Sequence, residues 1–187
     1  MFTTDWDVEV PGPREWPTLR DLYVRADDPH RHDHLAQVVA DADRPADAWR
    51  GRLADMLGPG RLALFVRDRE RRPRGFVSAY TDGHDDSLVV ILRILLVVPS
   101  PQVDVGARAA HLLLDHVEDW ASAKDAVEVL CELDEDDDGT ATVLRARGYT
   151  SSVGRPGLGQ GDPVAVEWSR TVGRLRDRMS RGLFAVA

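Results

Sequence analysis

Residues 87–100, SLVVILRILLVVPS, are the most apolar stretch of the chain and constrain its fold more than any other. Ten of them are Leu, Val or Ile, and Arg93 is the one charge among them. The run is shorter than the roughly 20 apolar residues that cross a bilayer. Because Val and Ile favour strands and Pro99 ends the run, we predict a central strand covered on both faces. Burying each such side chain contributes about 1.5–3 kcal/mol, so this strand is expected to anchor the core.

A helix and a second strand follow the apolar run. Residues 108–123 place Leu112, Leu113, Val117 and Trp120 on one helical face, and residues 125–133 then alternate as a strand. The order of strand, small-residue turn, helix and strand predicts a βαβ-like unit. Such a unit places the unpaired N–H groups of a helix N-terminus beside the end of a strand. That position favours an anion, often a phosphate.

The remaining segments predict further helices and strands. Ahead of the apolar run we expect a strand, two helices and an antiparallel hairpin, and beyond the second strand a short helix, two strands and a basic terminal helix. The predicted strands are 6–10, 61–67, 74–80, a strand that starts at 148, and 163–169. The predicted helices are 15–25, 46–57, 139–147 and 171–184, with one or two further helical turns over 35–42. We expect one domain over residues 1–170, followed by a basic tail over 171–187.

The charge balance restricts the partners. The 187 residues carry a net charge of −8, which argues against nucleic acid and anionic membrane as partners. The single cysteine, Cys131, excludes an internal disulfide, and the first residues contain no apolar signal segment, so a cytoplasmic protein is expected. Only Lys124 among the 24 basic residues is lysine, which favours a GC-rich bacterial genome.

The order of elements over residues 5–169 resembles that of the GCN5-related N-acetyltransferases. The stretch 96–99, LVVP, is similar to the family's L-x-V-x-P strand end, and LLLD at 112–115 agrees with its long helix. DGTA at 138–141, followed by Gly148 and Tyr149, resembles the family's N-x-x-A and G-F pair. The resemblance implies an α/β fold, with a mixed, mainly antiparallel sheet and helices on both faces.

This resemblance also implies acetyl-CoA, or another acyl-CoA, as co-substrate, and no metal. In the family the pantetheine arm lies where the central strand parts from its neighbour, and the pyrophosphate lies on the first turn of the long helix. The positions that would correspond here are Leu96, Val97, Val98, Gln102, Val105, Gly106, Ala107, Arg108, Ala109 and Asp138.

No register of residues 102–109 satisfies the family's whole R/Q-x-x-G-x-G/A pattern for the pyrophosphate turn. Counting from Gln102 places Val105 where a glycine is expected. Counting from Asp104 places the small residues Ala107 and Ala109 at the two glycine positions, but the pattern then begins with a carboxylate where a basic or amide group is expected. Gln102 with Gly106 fits if the turn has one extra residue, and we prefer this register.

Acyl transfer to an amine needs a base that takes the proton of the ammonium and an acid for the leaving thiolate. Glu128 and Glu132 share one face of the predicted strand 125–133, so either is a candidate base, against the alternative of two solvent-facing edge residues. Tyr80 and His84 near the end of the hairpin are candidates for the acceptor cleft, against the alternative of plain exposure. The tyrosine acid that the family often uses falls on Leu144.

Two polar groups allow more than one interpretation. His30, His32 and His34 with Asp33 have no distant fourth ligand at a recognisable spacing, so they argue weakly for a metal, and substrate contact by His30 and His32 is the better functional hypothesis. Arg93 in the central strand must be paired if it is buried. It is either a structural ion pair or a group that holds an acidic substrate or the acyl group.

The sequence therefore predicts an acyl-CoA-dependent N-acyltransferase that acetylates a small-molecule amine by direct attack in a ternary complex. The first alternative is the same fold without CoA use, serving as a binding or interaction domain or catalysing another reaction in a biosynthetic pathway. It is kept because the pyrophosphate turn is imperfect and the acidic residues 134–138 would repel phosphates. The second alternative is a structural homodimer formed through the last strand and the terminal helix.

Overall fold

The apolar run forms strand β4 at the middle of a seven-stranded sheet. The computed structural model describes residues 6–26, 46–84, 87–98, 103–134, 138–152 and 165–172. The helices in these ranges are α1 (Trp16–Ala26), α2 (Ala46–Met56), α3 (Val103–Ala123) and α4 (Asp138–Ala146). The strands are β1 (Asp7–Glu9), β2 (Arg61–Arg67), β3 (Pro73–His84), β4 (Ser87–Val97), β5 (Glu128–Asp134), β6 (Thr150–Ser152) and β7 (Ala165–Thr171).

The sheet has the strand order β1-β2-β3-β4-β5-β7-β6. Every neighbouring pair is antiparallel except β4 and β5, which are parallel and are connected through α3. The predicted βαβ unit and the mixed, mainly antiparallel sheet with helices on both faces are therefore confirmed. None of the described helices is long and apolar enough to cross a bilayer.

Two hydrophobic cores lie on opposite faces of the sheet. On one face α3 packs against the middle strands, and on the other α1 and α2 pack against β2, β3 and β4. The α3 core includes Val66, Val77, Val90, Leu92, Leu113, Leu114, Val117 and Cys131. The α1/α2 core includes Leu19, Leu22, Trp49, Leu53, Phe65, Phe76 and Leu96. The residues of β4 contribute to both cores, as expected for a central strand.

A β-bulge at Arg93 divides β4 into two halves. Leu92 pairs with Ala79 and Ile94 pairs with Ser78, so Arg93 is the extra residue and has no partner on β3. Leu92 faces α3, whereas Ile94 packs against the α1/α2 core. A bulge inserts one residue and bends the strand. Arg93 is exposed, so the prediction that the central strand is covered on both faces is wrong at this position, and the pairing that a buried arginine would require is not needed.

Several boundaries differ from the predicted ones. Helix α3 begins at Val103, within the segment predicted as a turn, and β3 continues to His84. Thr171, the predicted start of the terminal helix, still pairs with Glu128 as the last residue of β7. Inter-strand hydrogen bonds extend β3 and β7 beyond their apolar residues. The predicted helical turns over 35–42 and the rest of the basic terminal helix lie outside the described residues.

Glu9 ties the first strand to the end of β2. Its carboxylate accepts a hydrogen bond from the Arg67 guanidinium, and Arg71 Nη2 lies 3.0 Å from Glu9 Oε2. The Arg67 hydrogen bond is the largest cause that lowers the pKa of Glu9 below its ordinary value of 4.5. A group whose pKa is lowered by folding stabilises the folded state above its unfolded pKa, and this contribution is lost as the pH falls.

Glu9→Gln is therefore expected to lower the free energy of unfolding by about 1 kcal/mol at pH 7 and to have little effect at pH 3. Urea unfolding at both pH values measures this difference. Glu70→Gln is the control, because Glu70 pairs with Arg72 at the surface and exposed ion pairs contribute little. An effect of Glu9→Gln that does not change with pH would contradict the prediction.

Candidate active site

Strands β4 and β5 part in the middle of the sheet. Their parallel pairing extends from Val89 with Glu128 to Leu92 with Cys131 and goes no further among the described residues. Beyond it, β4 continues against β3 and β5 continues against β7. We call the space between residues 93–97 and residues 132–134 the split. Main-chain groups of β4 that face the split have no strand partner, and such an edge can bind an extended ligand.

The first turn of α3 lies against the end of β4, where the split opens. A Cβ atom added to Gly106 would lie 3.4 Å from Val97 Cγ1 and 3.9 Å from the Val98 carbonyl oxygen. The N–H groups of a first helical turn have no partner within the helix and carry partial positive charge. The end of the split is therefore suited to bind an anion, as the sequence predicted for the start of the long helix.

The residues predicted to bind the cofactor fall into two groups. Leu96, Val98 and Ala109 have their side chains in the hydrophobic cores, so only their main-chain groups are available to a ligand. Ala107 and Arg108 are exposed on α3, and the Arg108 guanidinium lies 5.9 Å from the centre of the Trp6 ring.

The other predicted cofactor positions lie at the open end of the split, where β4 and β5 end. Val97 and Val105 are half-buried, and Asp138 is exposed at the start of α4, beyond the end of β5. The Asp138 carbonyl oxygen accepts a hydrogen bond of 2.7 Å from Thr142 Oγ1. Gln102 lies outside the described residues.

The sheet face opposite α3 is acidic along β5 and β7. Val129 and Cys131 face α3, so Glu128 and Glu132 share the opposite face, as predicted from their alternation. Glu132 pairs directly with Glu167 of β7, and both are exposed. We call the sheet surface that carries Glu128, Glu132 and Glu167 the acidic face. Like charges placed opposite each other destabilise a sheet, which indicates a role other than stability.

The two candidate bases differ in their distance from the split. Glu132 is the residue after Cys131, the last β5 residue paired with β4, so it lies where the split begins. Glu128 lies four residues earlier, about 13 Å away along the strand. Glu132 is therefore better placed than Glu128 to contact a group bound in the split.

Of the two candidates for the acceptor cleft, Tyr80 and His84, the structure brings only Tyr80 near the split. Tyr80 pairs with Ile91 of β4, and Ile91 pairs with Leu130, so Tyr80 is half-buried on the same face as the two glutamates. His84, the last residue of β3, pairs with Ser87, the first residue of β4, about 20 Å along β4 from Arg93. His84 is thus not brought to the split, and His30, His32, His34 and Asp33 lie outside the described residues.

On the side of the sheet that carries α3, no described tyrosine takes the place of the family's proton-donating tyrosine, whose position is occupied by Leu144. Leu144 is fully buried in the α3 core. Tyr149 is also buried there, its hydroxyl has no hydrogen-bond partner among the described residues, and its pKa is raised, mainly by desolvation and then by Glu118. Because its phenol is buried in the α3 core, Tyr149 does not contact the split. Within the described ranges no group of three His, Cys, Asp or Glu side chains could hold a metal ion.

Sequence reasoning missed the bulge and the contribution of Glu167, and it gave the split only as what the family resemblance implies. The charged interruption at Arg93 was the one signal of the bulge, because a residue without a pairing partner can place a charge outside the core. The split gives no local signal, since it depends on where pairing between two distant segments ends.

Known proteins match this chain by structure. No family sequence model and no curated protein matches it by sequence. An acetyltransferase of the GNAT family from Streptococcus pneumoniae is similar to it at 12% identity, with a TM-score of 0.67, over 90% of this chain and 99% of that one. A ribosomal L7/L12 alpha-N-protein acetyltransferase, solved in complex with coenzyme A, is similar at 13% identity and TM-score 0.68, over 91% and 96%. An aminoglycoside 6'-acetyltransferase type Ii is similar at 16% identity and TM-score 0.63, over 89% and 97%.

Proposed function

We propose that this chain, which shares the fold of the GCN5-related N-acetyltransferases, is an acyl-CoA-dependent N-acyltransferase that acts on an amine. The observation that carries the proposal is the split between β4 and β5, with the first turn of α3 at its end. An enzyme that uses acyl-CoA must bind a long flexible arm and a diphosphate at fixed separation. The split and the helix terminus offer one surface for each.

The residues present fit such a ligand. The unpaired edge of β4 over residues 93–97 is about 16 Å long and presents main-chain donors and acceptors, as an added strand requires. At its end, the first turn of α3 offers N–H groups to the diphosphate, and Gly106 keeps a side chain away from the contact with Val97. Bound there, acyl-CoA supplies an activated thioester.

Residues near the start of the split would carry out the transfer. Main-chain N–H groups at the bulge, near Arg93, are placed to hold the acyl carbonyl oxygen, and fixed donors stabilise the charge that develops on it. Glu132 would accept the proton of the attacking ammonium, with Glu128 acting through water as the alternative. Tyr80 is the candidate proton donor to the thiolate. Cys131 faces α3 and is buried, so attack by the amine itself is favoured over a covalent enzyme intermediate.

The acidic face favours a cationic amine as acceptor. Glu128 and Glu132 would attract an ammonium group in the part of the sheet where the transfer takes place. One structural neighbour is named for an aminoglycoside and another for a ribosomal protein, so the neighbours support both a small molecule and a protein amino group. The carboxylates on the sheet surface support the small molecule.

Calorimetric titration with acetyl-CoA and CoA tests the proposal. We expect micromolar binding, weakened about 10- to 100-fold in Gly106→Glu, because a carboxylate at the first turn of α3 repels the diphosphate and a long side chain meets Val97. Gly106→Ala is expected to bind within about threefold of wild type, since its Cβ makes only ordinary van der Waals contacts.

Two outcomes would contradict the proposal. No binding at millimolar CoA would mean that the fold has lost CoA use and serves as a binding domain or catalyses another reaction, which is the first alternative. Equal binding by all three proteins would mean that CoA does not lie at the first turn of α3.

A further inference from the structure

Arg93 lies at the bulge of β4, next to the point where the split begins. It is the one residue of β4 without a partner on β3, and pairing with β5 ends just before it at Leu92. At the bulge Arg93 and Ile94 together oppose Ser78 of β3, and Ile94 packs on the side of the sheet away from α3, so Arg93 lies on the side of the acidic face.

Two arginines at strand ends, Arg67 and Arg74, have carboxylate partners, whereas Arg93 has none among the described residues. Arg67 binds Glu9 and Glu15, and Arg74 Nε lies 2.7 Å from Asp68 Oδ2. An arginine within an apolar strand gives up the packing that Leu or Ile would provide at the same place. A structural ion pair, one of the two interpretations of Arg93 from the sequence, therefore has no support in the described structure.

Glu132 lies across the split from Arg93. Leu92 pairs with Cys131, so the next residues of the two parallel strands, Arg93 and Glu132, stand on either side of the point where the split begins. Both are exposed, and no ion pair joins them. A positive and a negative group thus flank the proposed transfer site, each open to a ligand.

We propose that Arg93 binds the carboxylate of the acceptor, and that the acceptor is an amino acid or a similar compound with both an amine and a carboxylate. The inference rests on the proposed function and names its substrate class. A planar guanidinium binds a carboxylate through two parallel hydrogen bonds, which gives both attraction and orientation. With the carboxylate on Arg93, the amine of such an acceptor lies toward Glu132.

The test compares acceptors that differ only in the carboxylate. Amino acids and the amines formed from them by decarboxylation, such as lysine and 1,5-diaminopentane, are assayed with acetyl-CoA in wild type, Arg93→Gln and Arg93→Lys. We expect wild type to prefer the amino acids. Arg93→Gln should lower kcat/KM for them about 10- to 100-fold, chiefly through KM, and change kcat/KM for the amines less than about threefold. Arg93→Lys should retain part of the preference.

Arg61→Gln is the matched control, because Arg61 is also an exposed strand arginine and lies in β2, two strands from the split, where it pairs with Tyr80 of β3. It should change kcat/KM for neither class of acceptor. Titration of Arg93→Gln with CoA should give the wild-type affinity, which also verifies that the variant is folded.

Each remaining outcome has a defined meaning. If Arg93→Gln lowers activity equally with both classes, or with neither, the assignment is wrong while the acyltransferase proposal stands. If the loss appears only with succinyl-CoA as donor in place of acetyl-CoA, the carboxylate belongs to the acyl group and the acceptor assignment is overturned. If wild type binds no CoA, the proposed function and this inference fail together.

Discussion

Glu132→Gln is expected to lower kcat about 10²- to 10⁴-fold with an amine acceptor, while CoA binds with unchanged affinity. Glu132 lies on the acidic face one residue beyond the last β4–β5 pair, where the split begins. As a general base it accepts the proton that the ammonium must lose before attack. Gln keeps the size of the side chain and removes this capacity. Steady-state kinetics with acetyl-CoA, together with CoA titration, measure the effect.

The pH dependence separates a base from a residue that only attracts the substrate. A primary amine loses its own proton near pH 10, so the deficit of Glu132→Gln should shrink as the pH approaches that value. Glu167→Gln is the control, because Glu167 pairs with Glu132 and carries the same charge on the same face. It should lower kcat less than about fivefold. Equal losses in the two variants, or a deficit that does not change with pH, would exclude Glu132 as the base and favour Glu128.

Glu118→Ala is expected to lower the free energy of unfolding by about 3 kcal/mol. Glu118 is buried in α3 and binds two arginines: Arg147 through Nε and Nη2 at 2.9 and 2.8 Å, and Arg170 through Nη1 at 2.7 Å. Arg147 follows α4 and Arg170 lies on β7, so one carboxylate joins three elements. Its removal leaves two guanidinium groups largely buried without their main partner, and this cost exceeds that of a lost surface pair.

Urea unfolding at neutral pH measures this loss, with Asp115→Asn as the matched control. Asp115 Oδ1 lies 2.6 Å from Arg147 Nη2, but its side chain is 57% exposed. Exposed ion pairs contribute at most about 1 kcal/mol, so the control should be nearly as stable as wild type. If both variants lose the same small amount, Glu118 is not the group that holds α3, α4 and β7 together.

The sequence predicted the parts of the site that depend on local pattern. Alternation placed Glu128 and Glu132 on one face because side chains in any strand point to opposite sides in turn, whatever the neighbouring strands are. Cys131, between the two glutamates in the sequence and on the other face, is buried. The apolar density of residues 87–97 identified the central strand, since Val and Ile favour strands and a strand in the middle of a sheet is covered on both faces.

Arg93 shows where local pattern was insufficient. From the sequence it was a charge in a strand predicted to be covered on both faces, and either a structural ion pair or the binding of an acidic group could account for it. In the sheet, one extra residue at Arg93 lets β4 keep its pairing with β3 on both sides of the charge. The register between β3 and β4 decides whether this side chain is buried, and register is a property of two strands together.

The amino-acid sequence by itself determined the kinds and order of the elements and which side chains share a face, because helical and strand periodicity are properties of a single segment. Only the tertiary structure decided that β4 and β5 part after Leu92 and Cys131, that Arg93 and Glu132 stand at the start of the split, and that α3 begins at its end. These facts depend on hydrogen bonds between segments nearly 40 residues apart in the chain. Such bonds are fixed by the packing of the whole sheet against α1, α2 and α3.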